Sequence, residues 1–149
     1  MASQKEVQRI ALLLPETIQE ESRFAFAVLN RGKHKGFAWV WMERIEPKKA
    51  RIPRPDVIAL RVADEEEKQM FLASDPGKFF TEPHYHSFPA ILVRLEAVEE
   101  EELEELIMDA WRCQAPSALV KEFDRQNRNY SPLGLLRIEN LLLSEPWPA

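Results

Sequence analysis

Phe79-Phe80-Thr81-Glu82-Pro83-His84-Tyr85-His86-Ser87-Phe88-Pro89-Ala90-Ile91-Leu92-Val93-Arg94-Leu95 is the stretch on which the reading of the fold turns. Residues 90–95 form a short apolar, partly β-branched run, the composition of a strand. Ahead of it, two of the three histidines flank a tyrosine between two prolines, and proline on both sides works against regular strand geometry there. A structured loop therefore feeds a buried strand.

Upstream, Asp64 followed by Glu67 is a helix-start pattern. It opens a helix to about residue 73 that carries Met70 and Phe71 inward and is broken by Asp75-Pro76-Gly77. Residues 56–62 read as a strand apolar enough to be central. Residues 46–55 hold three prolines and four basic residues, so they read as an extended loop rather than a central strand. Phe37, Trp39 and Trp41 alternate with Ala38, Val40 and Met42, as in a strand with an aromatic face. The polar stretch 30–36 is a glycine-bracketed turn, and residues 24–29 form another strand. Ser3 with Glu6 is a capping box, and Val7, Ile10, Ala11 and Leu14 recur at helical spacing until Pro15.

Downstream, six glutamates in residues 99–105 open a helix with Leu103, Leu106, Ile107, Ala110 and Trp111 on one face. Carboxylates in the first turn suit the positive end of the helix dipole. Pro116 starts a short helix through Phe123, a polar link follows over 125–130, and the leucine-rich residues 133–143 could pack as a further helix. Hairpin-length connections require antiparallel pairing. The expected architecture is α+β, two layers, with an antiparallel sheet backed by helices. Residues 1–130 form the domain, and 131–149 a tail packing on it or at an interface.

The bulk numbers fit a single domain: 149 residues, 45% hydrophobic and 30% charged. A chain this long supports its own core. The single Cys113 cannot form an internal disulfide and reads as a half-buried thiol, since no histidine lies near it in sequence to activate it. The absence of a hydrophobic leader core or a membrane-length apolar run points to a cytoplasmic protein without a membrane partner. The net charge of −5 hides a division. Residues 31–61 carry nine Lys/Arg against three acids, a net of +6, whereas residues 62–111 carry three against fourteen, a net of −11.

That basic segment is the leading candidate site. Lys33 and Lys35 sit at a turn, and Arg44, Lys48, Lys49, Arg51 and Arg54 follow the aromatic strand. Cations neutralise phosphates and release counterions, and aromatic rings stack on unpaired bases. The competing reading makes Trp39 and Trp41 core and the cations a solvated edge paired with the acidic helices. A weaker ligand-binding candidate is His84, Tyr85 and His86. Two histidines at this spacing on a strand would share a side, but zinc wants three or four ligands, so no metal and no cofactor is assigned. The glutamate run is a solvated helix start. Phosphate-loop, dinucleotide, nucleophile-elbow and zinc-protease motifs are absent, which points away from an enzyme.

Leu14-Pro15, Gly36-Phe37-Ala38, Glu82-Pro83-His84-Tyr85 and Ala110-Trp111-Arg112, in this order and spacing, resemble the MmcQ/YjbR family over roughly residues 7–124. The resemblance implies a CyaY-like, secretion-chaperone-like α+β fold and DNA binding, and it brings no catalytic residues. The chain departs from it in its acidic balance and its leucine-rich tail after Tyr130. Nucleic-acid binding is thus the first expectation. A protein-interaction module, self-associating or binding a partner through the sheet face or the tail, is the alternative.

Overall fold

The computed structural model describes residues 1–127. Helix α1 spans Gln4–Leu13, and its capping box is complete: the Ser3 amide donates to Glu6 Oε1 at 2.8 Å while the Ser3 hydroxyl serves the helix amides. That hydroxyl also holds the Glu6 carboxyl below its ordinary pKa. Val7, Ile10 and Ala11 are buried, as their spacing requires.

Six antiparallel strands follow: β1 (Thr17–Gln19), β2 (Ala25–Asn30), β3 (Lys33–Glu43), β4 (Ile52–Arg61), β5 (Phe79–Phe80) and β6 (Ala90–Arg94). Their order in the sheet is β1-β2-β3-β4-β6-β5. Helix α2 (Glu65–Ser74) lies between β4 and β5, and α3 (Glu100–Gln114) and α4 (Ser117–Asn127) complete the described chain. This is the expected α+β arrangement. The suggested packing of residues 133–143 lies outside the described residues.

Several details differ from expectation. The polar turn shrinks to Arg31 and Gly32, with φ of 53° and 79°, and Asn30 pairs directly with Lys33. A two-residue hairpin of this kind needs positive φ at both central positions, so Lys33, His34, Lys35 and Gly36 belong to β3. The proline-rich loop is shorter than expected too, because β4 begins at Ile52 and includes Pro53 and Pro55. The strand is central only over Val57–Arg61, where β6 pairs with it. Its first half meets β3 alone, and the register jumps from Val40↔Ile58 to Trp41↔Arg54. Prolines are tolerated at just such an edge and bulge. On α2, Met70 points outward at 65% exposure; Phe71 packs inward, and Lys68 is the buried residue. Finally, α4 runs through Asn127 instead of ending at Phe123; Glu122 accepts from both Arg125 and Gln126, extending the helix by contacts three and four residues apart.

The main core lies between the helices and one face of the sheet. It joins Phe26, Phe37, Ile58, Leu60, Ile91 and Val93 to Leu103, Ile107 and Trp111. Phe37 was expected to share a face with Trp39 and Trp41. The register shift between Phe26 and Ala27 leaves Phe37 opposite no single partner, and it turns to the helix side. The opposite face carries a second, smaller cluster of Ala25, Trp39, Val57, Ala59, Tyr85, Ala90 and Leu92, flanked by Trp41 and Phe80. No described helix covers that face. The connection from β5 to β6 crosses it, with a 3-10 turn at Pro83–Tyr85. No described helix is long and apolar enough to cross a membrane.

Candidate nucleic-acid interface

Alternation along β3 delivers Trp39 and Trp41 to the helix-free face. Trp39 Nε1 donates to the Tyr85 hydroxyl at 2.9 Å. Its ring meets Phe88 edge-on, with centroids 6.0 Å apart, and Tyr85 and His84 are T-shaped at 5.4 Å. Trp41 packs on Phe80 at 5.4 Å. Arginines lie over two of these rings: Arg94 sits 4.0 Å from Phe80 and Arg61 5.2 Å from Phe88. Cation–aromatic contacts of this kind hold guanidinium groups against an apolar surface without burying their charge.

The loop that supplies Tyr85 and Phe88 is anchored from beneath. Lys68 on α2 is 1% exposed, and its ammonium donates to the Tyr85 carbonyl and, at 2.8 Å, to the Phe88 carbonyl. Burial pushes its pKa down, and nearby Glu65 partly opposes that shift.

Between this loop and the β3–β4 hairpin lies a cavity of about 430 Å³ lined by Arg23, Trp39, Met42, Arg51, His84, Tyr85 and Phe88. Its size falls in the usual range for ligand pockets, roughly 300–1,000 Å³. A second depression of about 240 Å³ adjoins it through Arg23 and Trp39 and continues to Ile18 and His34. Together they make a groove over the helix-free face, lined by Trp39, Tyr85 and Phe88 and bordered by Arg23 and Arg51. Glu20, the ion-pair partner of Arg23, is also on its wall. Arg51 Nη1 donates to the Met42 carbonyl at 3.0 Å, and Arg23 Nε to Glu20 at 3.0 Å. Each guanidinium keeps further N–H groups beyond those bonds.

The seven basic residues picked out in the sequence divide into two groups. Lys33 and Lys35 are exposed at the start of β3. Arg44, Lys48, Lys49, Arg51 and Arg54 gather at its other end. An 11-residue strand separates the groups, roughly 30 Å at about 3.3 Å per residue, so they are not one patch. In the second group, Arg54 pairs with Glu43 at 2.5 Å and Lys49 with Glu46 at 3.3 Å, while Arg44 donates to the Pro47 carbonyl. The acidic run is engaged elsewhere: Glu100 with Arg9, Glu102 with Lys78 and Glu99 with the N-terminal amine. The cations are therefore trimmed by glutamates of their own hairpin and not quenched by the acidic helix.

Of the loop trio, Tyr85 is the buried member, and His84 and His86 are exposed. The 3-10 turn replaces the strand on which the two histidines would have shared a side. His84 lines the cavity, and His86 does not. Among the described residues no three His, Cys, Asp or Glu side chains cluster as metal ligands do. Sequence reasoning missed Arg23, Met42 and Phe88. Phe88 carried a usable signal, a lone aromatic between the histidine loop and a strand entry. Arg23 carried none.

The YjbR family profile matches residues 12–113. The chain belongs to the YjbR family. It is also 48% identical over 71 residues to uncharacterized proteins from two strains of Mycobacterium tuberculosis and from Mycobacterium bovis. Those 71 residues are 48% of this chain and 55% of each relative, so the match spans about half the length of the curated relatives. No solved structure matches the chain significantly. The match of this YjbR protein to its family runs from the last turn of α1 almost to the end of α3 and so takes in the whole groove.

Proposed function

We propose that this YjbR protein is a non-enzymatic nucleic-acid-binding protein, and that it uses the helix-free face of its sheet. The observation that carries this reading is the division of charge between the two sides. The glutamate-rich α3 packs on the other face, through Leu103, Ile107 and Trp111. The aromatic groove is bordered by Arg23 and Arg51, with Arg44, Lys48, Lys49 and Arg54 at the adjoining hairpin end. A net charge of −5 does not prevent binding when the local field at the contact surface is positive.

The test is binding of short DNA and RNA oligonucleotides across a salt series. Counterion release gives a log–log slope of about −0.9 per phosphate neutralised on duplex and about −0.7 on a single strand. Replacing Lys48, Lys49 and Arg51 with Ala should weaken binding several-fold near 50 mM salt and flatten the slope by roughly two to three contacts. No binding at that salt, or identical binding by the triple variant, would dispose of the proposal.

A second reading has one observation in its favour. Ile45 and Ile52 are 58% and 45% exposed at the same end of the β3–β4 hairpin, and exposed apolar clusters mark protein contacts. A protein-interaction role predicts that size rises with concentration and that Ile45→Lys abolishes the rise.

A further inference from the structure

The Tyr85 side chain is 9% exposed, and its hydroxyl oxygen accepts the Trp39 indole N–H at 2.9 Å. A phenol accepts and donates at once, and among the described residues no side chain or carbonyl accepts this hydroxyl's proton. A buried donor without a partner calls for one. Tyr85 lines the 430 Å³ cavity together with Trp39, Phe88, His84, Met42 and two arginines. The site therefore offers aromatic walls, a tyrosine whose hydroxyl proton has no acceptor among the described residues, and two cations. Its complement is a flat heteroaromatic ring with an edge acceptor and a nearby anion.

We propose that this cavity seats an unpaired nucleobase, with Tyr85 donating to a ring nitrogen or carbonyl of the base and Arg51 or Arg23 taking the adjoining phosphate. The inference rests on the nucleic-acid reading above and sharpens it to single strands. In a duplex the base faces are stacked and the edges paired, so only an unpaired or extruded base can enter a walled cavity. The second depression, joined to the first through Trp39 and Arg23 and reaching His34, continues the track along β3. A free mononucleotide would need only one of the two, whereas a strand fits both.

Four probes at 50 mM salt separate the possibilities: a single-stranded oligonucleotide, the same sequence as a blunt duplex, an abasic strand of equal length and a free mononucleotide. The single strand should bind at least about tenfold more tightly than the abasic strand, the effect of one stacked base, and should quench tryptophan emission. Phe88→Leu keeps the side chain apolar but removes the ring. It should bring single-strand affinity down to the abasic level and leave abasic binding unchanged, with its melting curve verifying the fold. His84→Ala, at an exposed wall position, repeats the comparison without touching the core. Equal affinity for the intact and abasic strands, unaltered in both variants, would overturn the base pocket while leaving the cation surface standing. Mononucleotide binding that depends on Phe88, without any strand binding, would keep the pocket and remove the strand. Binding of none of the four would remove both.

Discussion

Lys68 shows how much of the site depends on one residue that looks ordinary in sequence. It follows three glutamates at a helix start, where a lysine usually lies on a solvated face, yet it is 1% exposed and ties α2 to the carbonyls of Tyr85 and Phe88. Lys68→Met should destabilise the fold at neutral pH by about 1–3 kcal/mol, because one buried and one part-buried carbonyl lose their donor. It should also loosen the cavity wall. The folded-state pKa of this lysine lies below its ordinary 10.5, so above the depressed value the unfolded chain holds the proton more tightly than the folded one. Stability must then rise with pH through the window between the two values. Thermal melts of wild type and Lys68→Met should show the wild-type advantage growing as pH climbs toward 10.5. Cys113 behaves oppositely to a reactive thiol. Burial first, then Glu67 and Asp109, push its pKa up to about 11. At pH 8 its alkylation should be on the order of 100-fold slower than in the unfolded chain, since only the thiolate attacks. Rapid labelling of the folded protein would contradict this placement.

At the level of elements, the legible parts were those with a strong pattern over enough residues. Helix α1 announced its cap and its buried stripe, and α3 its acidic start and apolar face. The runs that became β2, β6 and the second half of β4 were readable from apolar composition alone. Strands β1 and β5 are three and two residues long, too short for any periodicity to register. Their shortness also limits the exposed edges of the sheet, which otherwise invite pairing with other chains. The first half of β4 was hidden because proline argues against a strand with neighbours on both sides, and here one side is open. The tight Arg31-Gly32 turn sets the β2–β3 register and, with it, which rings reach the groove. Gly32→Val would place a β-branched residue at φ 79° and should cost about 1–3 kcal/mol. Urea denaturation checks it; an unchanged midpoint would mean the hairpin relaxes to another turn.

For the whole molecule, the two-layer plan is asymmetric in both polarity and charge. One face of the sheet is sealed by helices, of which α2 and α3 carry the acidic runs. The other carries aromatic side chains, an arginine-bordered groove and, among the described residues, the crossing β5–β6 loop. The sequence displayed the two charge blocks but not which face each would occupy, because face assignment depends on the bulges at Phe26/Ala27 and Val40/Trp41. A one-residue shift in register exchanges the faces of a strand. Lys33 and Lys35, adjacent in sequence to the aromatic run, end up far from Arg44 and Arg51 because the length of β3 lies between them. Arg23 and Phe88, distant in sequence, meet at one cavity. The most direct test of the proposed face is residue-resolved NMR titration with a short single-stranded oligonucleotide. Shifts are expected at Trp39, Met42, Arg51 and residues 83–89, including the Trp39 indole N–H, with α1 and α3 unaffected. Shifts concentrated on α1 and α3, or none at saturating oligonucleotide, would contradict the assignment of the helix-free face as the binding surface.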